Sequence, residues 1–174
     1  MRYCKIVVIT IMFLVSLTVH GQIIKTKLDI VGGLSYPEYV HGGLRYQYTD
    51  ITQLGIYIGA NINRADAIIH TYSVDNLIHF GKHSYHSNRP VWYARQGFTY
   101  DVSSENDRKR KFSFVNISLG REFPINDWLG INLDMGLLMQ VKEKTEFKAP
   151  DIKTEYETGL KFKPSLRLQI FFSL

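Results

Sequence analysis

Thiols are almost absent from this 174-residue chain: Cys4 is the only cysteine, and it lies ahead of an apolar stretch covering residues 6–17. Arg2 and Lys5 precede that stretch, and Val19-His20-Gly21 follows it with the residue types a signal peptidase reads. The layout is that of a cleaved secretory leader, residues 1–21, with a single domain over 22–174. A spanning helix needs about 20 apolar residues, more than this stretch offers. Cleavage would remove Cys4, leaving a mature chain with no disulfide and no thiolate metal ligand.

A second absence is of long hydrophobic runs. Nothing after the leader is long and apolar enough for a transmembrane helix. A secreted chain without one can enter a membrane only as a closed barrel, whose backbone groups pair from strand to strand. Strong charge is also missing. The leader takes Arg2 and Lys5 with it and no acid, so the formal +5 of the whole chain falls to about +3. The basic balance is therefore weak evidence for nucleic acid, which a secreted protein rarely meets, and no nucleic-acid partner is expected.

What the chain does contain is alternation of period two, the mark of half-buried strands. It is clearest at the end, where Leu166, Leu168, Ile170, Phe172 and Leu174 alternate with Arg167, Gln169, Phe171 and Ser173. Leu54, Ile56, Ile58, Ala60 and Ile62 form an equally clean row, as do Leu129, Ile131, Leu133, Met135, Leu137 and Met139. Eight strands can be placed: near 24–35, 40–48, 53–62, 68–81, 91–102, 112–123, 129–140 and 166–174. The fourth is the least regular, because Asn76 interrupts its apolar row and Leu77 sits opposite. Connections fall at 49–52, 83–90 and 124–128 on one side. On the other they fall at 36–39, 63–67, 103–111 and 141–158, the last two long and charged.

Cost decides which face meets lipid. Lys or Arg pointing into mid-depth hydrocarbon costs on the order of 2–4 kcal/mol. The leucine and isoleucine rows must then face outward, with glycines, amides and charges inside. A soluble ligand-binding barrel reverses this arrangement. The inner set of Asp29, Arg45, Asp75, His79, Arg95, Glu122, Asp134 and Arg167 would make an implausibly charged ligand pocket. The fold expected is therefore an all-β, antiparallel, up-and-down transmembrane barrel of eight strands in the bacterial outer membrane, with both termini periplasmic. Arg121 falls on the outer face near a strand end, where it can reach lipid headgroups.

Several segments carry a resemblance. They are His79-Phe80-Gly81-Lys82, Val91-Trp92-Tyr93-Ala94-Arg95-Gln96-Gly97, Ser118-Leu119-Gly120-Arg121-Glu122-Phe123, and Gly130-Ile131-Asn132-Leu133-Asp134-Met135-Gly136-Leu137. In these the chain resembles the small outer-membrane β-barrel family common in Bacteroidetes-type bacteria, and more distantly OmpA/OmpX-type barrels. The resemblance implies fold and location, and brings no common catalytic motif. One departure is the last residue, commonly aromatic in such barrels but Leu174 here, which bears on recognition of the C-terminal strand by the barrel-assembly machinery.

An eight-stranded interior is just wide enough for side chains to fill. Arg45, Arg95 and Arg167 against Asp29, Asp75, Glu122 and Asp134 are expected to form an interior charge network, read as a plug in preference to an ion path. His70, His79, His83 and His86 raise a metal reading, but they come with no matching carboxylate pattern, so neither metal nor cofactor is expected. His86-Ser87-Asn88 superficially suggests a lipid A deacylase cluster, yet its order and spacing do not match that pattern, and no catalysis is expected. Arg108-Lys109-Arg110-Lys111 reads as a basic surface loop, either a solvated tip or a contact for lipopolysaccharide phosphates. The functional expectation is a monomeric structural or surface-interaction barrel, with a narrow channel or a lipid A-modifying enzyme as alternatives.

Overall fold

The computed structural model describes residues 27–36, 39–61, 67–87, 89–105, 108–147, 155–157 and 159–174. The expected leader lies outside them. Among the described residues nine strands form one antiparallel sheet: β1 (Lys27–Tyr36), β2 (Tyr39–Thr49), β3 (Thr52–Asn61), β4 (Ala67–His83), β5 (Pro90–Glu105), β6 (Arg108–Pro124), β7 (Leu129–Phe147), β8 (Glu155–Glu157) and β9 (Lys161–Ser173). Each strand pairs with its neighbour in sequence from β1 to β7. Then β9 closes the ring against both β7 and β1, as in Val31 opposite Phe171 and Asp134 opposite Arg167. Eight strands thus make a closed barrel. The short β8 stands outside the ring, paired to Glu143, Lys144 and Thr145 of β7.

Local chemistry sets the turns at the end that holds the C-terminus. Thr49 and Thr52 face each other across the β2–β3 turn with their hydroxyls hydrogen-bonded. At the β6–β7 turn, Asn126 Oδ1 accepts from the backbone N–H of Trp128 (3.0 Å) and Leu129 (2.8 Å), an Asx turn that reverses the chain. Between β4 and β5 the Ser87 hydroxyl donates to the Arg89 carbonyl at 2.8 Å and accepts from the Arg89 N–H.

Burial is inverted relative to a soluble domain. Ile58, Met135 and Leu168 stand exposed on the wall while Arg45, Asp75 and Asp29 are fully buried inside. The apolar rows run around the ring with few interruptions, far beyond the few hundred Å² of continuous apolar surface that soluble monomers tolerate. Asn76 breaks the row as the sequence indicates, but its Oδ1 accepts from the Tyr48 hydroxyl at 2.9 Å and the residue is buried. Strand β4 therefore runs through it without a break in register, and shifts only near its end, between Phe80 and His83.

Two expectations about the opposite, loop end are corrected. The charged segments 103–111 and 141–158 are not simply loops. The strands β5, β6 and β7 continue through them to Glu105, from Arg108, and to Phe147, and β8 adds a short pairing beyond. Charge argues against strand only where the wall meets hydrocarbon. Past the apolar band, oppositely charged neighbours pair along the extended sheet, as with Lys111 and Glu146 at 2.8 Å.

Candidate functional site

The lumen is packed before any charge is considered. Interior glycines leave room for interior aromatic rings: Tyr57 lies against Gly43 and Gly55, Tyr93 against Gly120, and Phe171 against Gly130. Onto these rings stack the guanidinium groups, Arg167 over Tyr57 at 5.0 Å, and Arg45 and Arg89 over Phe171 at 5.3 and 5.5 Å. Aromatic faces thus position the cations that the carboxylates must neutralise.

All seven residues of the expected network point inward and pair, in two clusters. In the first, Arg95 and Arg167 each bridge both Asp75 and Asp134: 3.2 and 2.8 Å from Arg95, 2.8 and 3.1 Å from Arg167. This is a closed quartet of alternating sign, drawn from β4, β5, β7 and β9. Ser118 Oγ accepts from Arg95 Nε at 2.8 Å, and Tyr93 donates to Asp134 at 3.1 Å. In the second, Arg45 approaches Glu122 at 3.3 Å, and Asp29 accepts from Gln53 (2.9 Å) and Ser173 (2.6 Å).

The second cluster has a member that sequence reasoning missed. Arg89, carried on the β4–β5 turn, folds into the lumen and is buried there. It reaches Asp29 at 2.7 Å, Glu122 at 2.8 Å and Gln47 at 3.3 Å. A signal for it existed: three expected arginines faced four acids, and a buried charge must be paired. With Arg89 the two clusters together hold four arginines and four carboxylates; a fifth buried acid, Asp101, lies outside them and accepts from the Thr71 hydroxyl at 2.8 Å.

The four histidines considered for metal binding do not converge. His79 is interior, with Nδ1 at the Pro90 carbonyl (2.9 Å) and Nε2 at Gln53 (3.1 Å). His70 and His83 are exposed at opposite ends of β4. His86 lies 3.2 Å from Asp127. Among the described residues no three His, Cys, Asp or Glu side chains are grouped to hold a metal ion. His86 and Ser87 make no catalytic pair either, because the Ser87 hydroxyl is engaged by the Arg89 backbone; Asn88 lies outside the described residues.

The basic run lies on β6. Arg108 and Arg110 both reach Glu105, and Lys111 reaches Glu146, while Lys109 is exposed. Hydrogen bonds from Lys111 and Lys144 hold the Glu146 carboxyl down to about 2, and one from Arg108 lowers that of Glu105. Three of the run's four cations thus pair within the wall extension.

No protein-family model matches the chain, and no curated relative matches it. Two solved structures do. One is the N-terminal β-barrel domain of OprF from Pseudomonas aeruginosa, 13% identical with a TM-score of 0.55, covering 86% of this chain and 96% of that one. The other is CarO from Acinetobacter baumannii, 11% identical with a TM-score of 0.50, covering 88% of this chain and 99% of that one. The fold is an eight-stranded outer-membrane-type barrel. At such identities the likeness speaks for an OmpA-like barrel architecture and does not extend to the narrower Bacteroidetes-type assignment.

Proposed function

We propose that the chain is an integral protein of the bacterial outer membrane that acts as a rigid wall presenting its loop end outside the cell, with no catalysis. The observation that carries this reading is the pairing of an exposed apolar exterior with an interior whose charges neutralise one another. Such an interior is a plug held by mutual ion pairs, and in so narrow a barrel it opposes ion passage. Both termini face the periplasm, as in single-chain barrels of even strand number. The extended β5–β7 wall then projects into the lipopolysaccharide layer, where Lys109 and its neighbours Arg108, Arg110 and Lys111 meet phosphate groups. The barrel works as a monomer, and its last strand, β9, is the part offered to the assembly machinery.

Planar-bilayer recording of the refolded protein tests the plug. Silence is expected, and steady conductance from the wild-type chain contradicts it. One observation favours a second reading, a narrow channel: Arg89 rides on a turn and not on the wall, so its withdrawal would remove a lock without unpairing a strand.

A further inference from the structure

At the terminal end, the outer wall is not purely apolar. Arg121 projects outward from β6 between two rings, its guanidinium 5.2 Å from the Trp92 ring and 5.1 Å from that of Phe123. It makes no ion pair among the described residues, and neither does Lys82 nearby. Both line a groove of about 620 Å³ with Gly81, His83, Trp92 and Phe123. The groove lies where β4 bulges between Phe80 and His83, and where Gly81 takes a φ of +88° open to few residues but glycine. Glu122 contributes to the rim only from its place in the strand; its carboxylate is turned into the lumen toward Arg89 and Arg45.

We propose that this groove binds the phosphate of a glycerophospholipid from the leaflet at the terminal end, with Arg121 and Lys82 on the phosphodiester and Trp92 and Phe123 against the glycerol and upper acyl chain. The proposal rests on the membrane reading above. Two cations at one rim, neither of them ion-paired among the described residues, offer complementary charge to an anion. Flanking aromatic rings are what membrane barrels place at the headgroup level. Guanidinium is suited to phosphate because its donors meet two oxygens at once. A volume of this size lies within the range of small-molecule sites, enough for a headgroup and its backbone. Asp127, an acid on the β6–β7 turn at that end, lies 3.2 Å from His86.

The test is native mass spectrometry of the refolded full barrel released from micelles. The probes are dimyristoyl phosphatidylglycerol, dimyristoylglycerol and inorganic phosphate. One retained phosphatidylglycerol per barrel is expected, with no retained diacylglycerol and no displacement by inorganic phosphate. Arg121→Leu combined with Lys82→Gln should reduce retention roughly tenfold, the loss of at least one charge-assisted contact. Arg121→Lys should restore part of it. Leucine suits a lipid-facing position, and resistance of the unboiled variant to unfolding on SDS gels verifies its fold. Equal retention by the double variant, or equal retention of diacylglycerol, overturns the site. Displacement by inorganic phosphate makes it a general anion site and overturns the lipid assignment. Failure of the wild-type chain to enter vesicles at all overturns the membrane reading, a result separate from either.

Discussion

Arg89 Nη2 lies 2.7 Å from Asp29 Oδ2, a contact that spans 60 residues and ties a turn to the first strand through the lumen. The same guanidinium satisfies Glu122, so one cation holds two buried carboxylates. Removing it leaves both without their shortest ion pair. Arg89→Ala is expected to destabilise the folded barrel by about 3–5 kcal/mol, the usual consequence of unpairing a buried charge. A urea titration of the refolded protein in micelles reads this as a lower midpoint. Arg89→Lys should recover little, since one ammonium cannot reproduce a fork that serves Asp29, Glu122 and Gln47 together.

The interior quartet depends on a missing side chain as much as on charges. A Cβ at Gly97 would collide with Asp75 Oδ1 and crowd the Val74 carbonyl and Asn116 Oδ1. Gly97→Val should therefore displace Asp75 from Arg95 and Arg167 and lower stability by about 1–3 kcal/mol, the range for overpacked interiors. Gly42, on the outward side of β2, meets only ordinary contact with the Val31 carbonyl. Gly42→Val should leave the urea midpoint almost unchanged, and parity between the two variants would contradict the packed-lumen account.

On the lipid face the sign reverses. Leu168, half exposed on β9 and opposite Leu133 and Leu34, faces outward in the middle of the apolar band. Leu168→Arg should cost about 2–4 kcal/mol in folding into vesicles. Folding yield against vesicle concentration measures it. An unchanged yield would place that face in water.

Acid acts on the wall extension through one carboxyl. The Glu146 carboxyl is held at about 2 by hydrogen bonds from Lys111 and Lys144, against an ordinary 4.5. Its folded value is depressed, so its contribution is complete above about 4.5 and fades as pH falls toward 2. Amide protection along the outer part of β6 and β7, taken relative to the intrinsic exchange rate at each pH, should therefore fall in that window. Glu146→Gln should remove this pH dependence of protection and show the lower protection at every pH.

Strands β3, β7 and β9 were legible because each of their side chains faces either lipid or lumen, and period two makes that visible. Where the apolar band ends, that contrast ends as well. The charged stretches of β5, β6 and β7 beyond it looked like loops, although their backbones continue to pair. Asn76 obscured β4 because its partner, the Tyr48 hydroxyl, comes from another strand. Leu77 and Leu138 are buried in the lumen, where a polarity rule alone would not put a leucine. Of the charge network, every strand-borne member could be found by its parity. Arg89 could not, since a turn has no parity, and only the imbalance between three arginines and four acids pointed to a fourth cation.

The central claim is a closed barrel embedded in the outer membrane. It is tested most directly by electrophoresis of the protein extracted from outer membranes, in SDS with and without boiling. A closed barrel predicts that the unboiled sample migrates as a compact species and shifts on heating. A single mobility, with the protein recovered from the soluble periplasmic fraction, would contradict it.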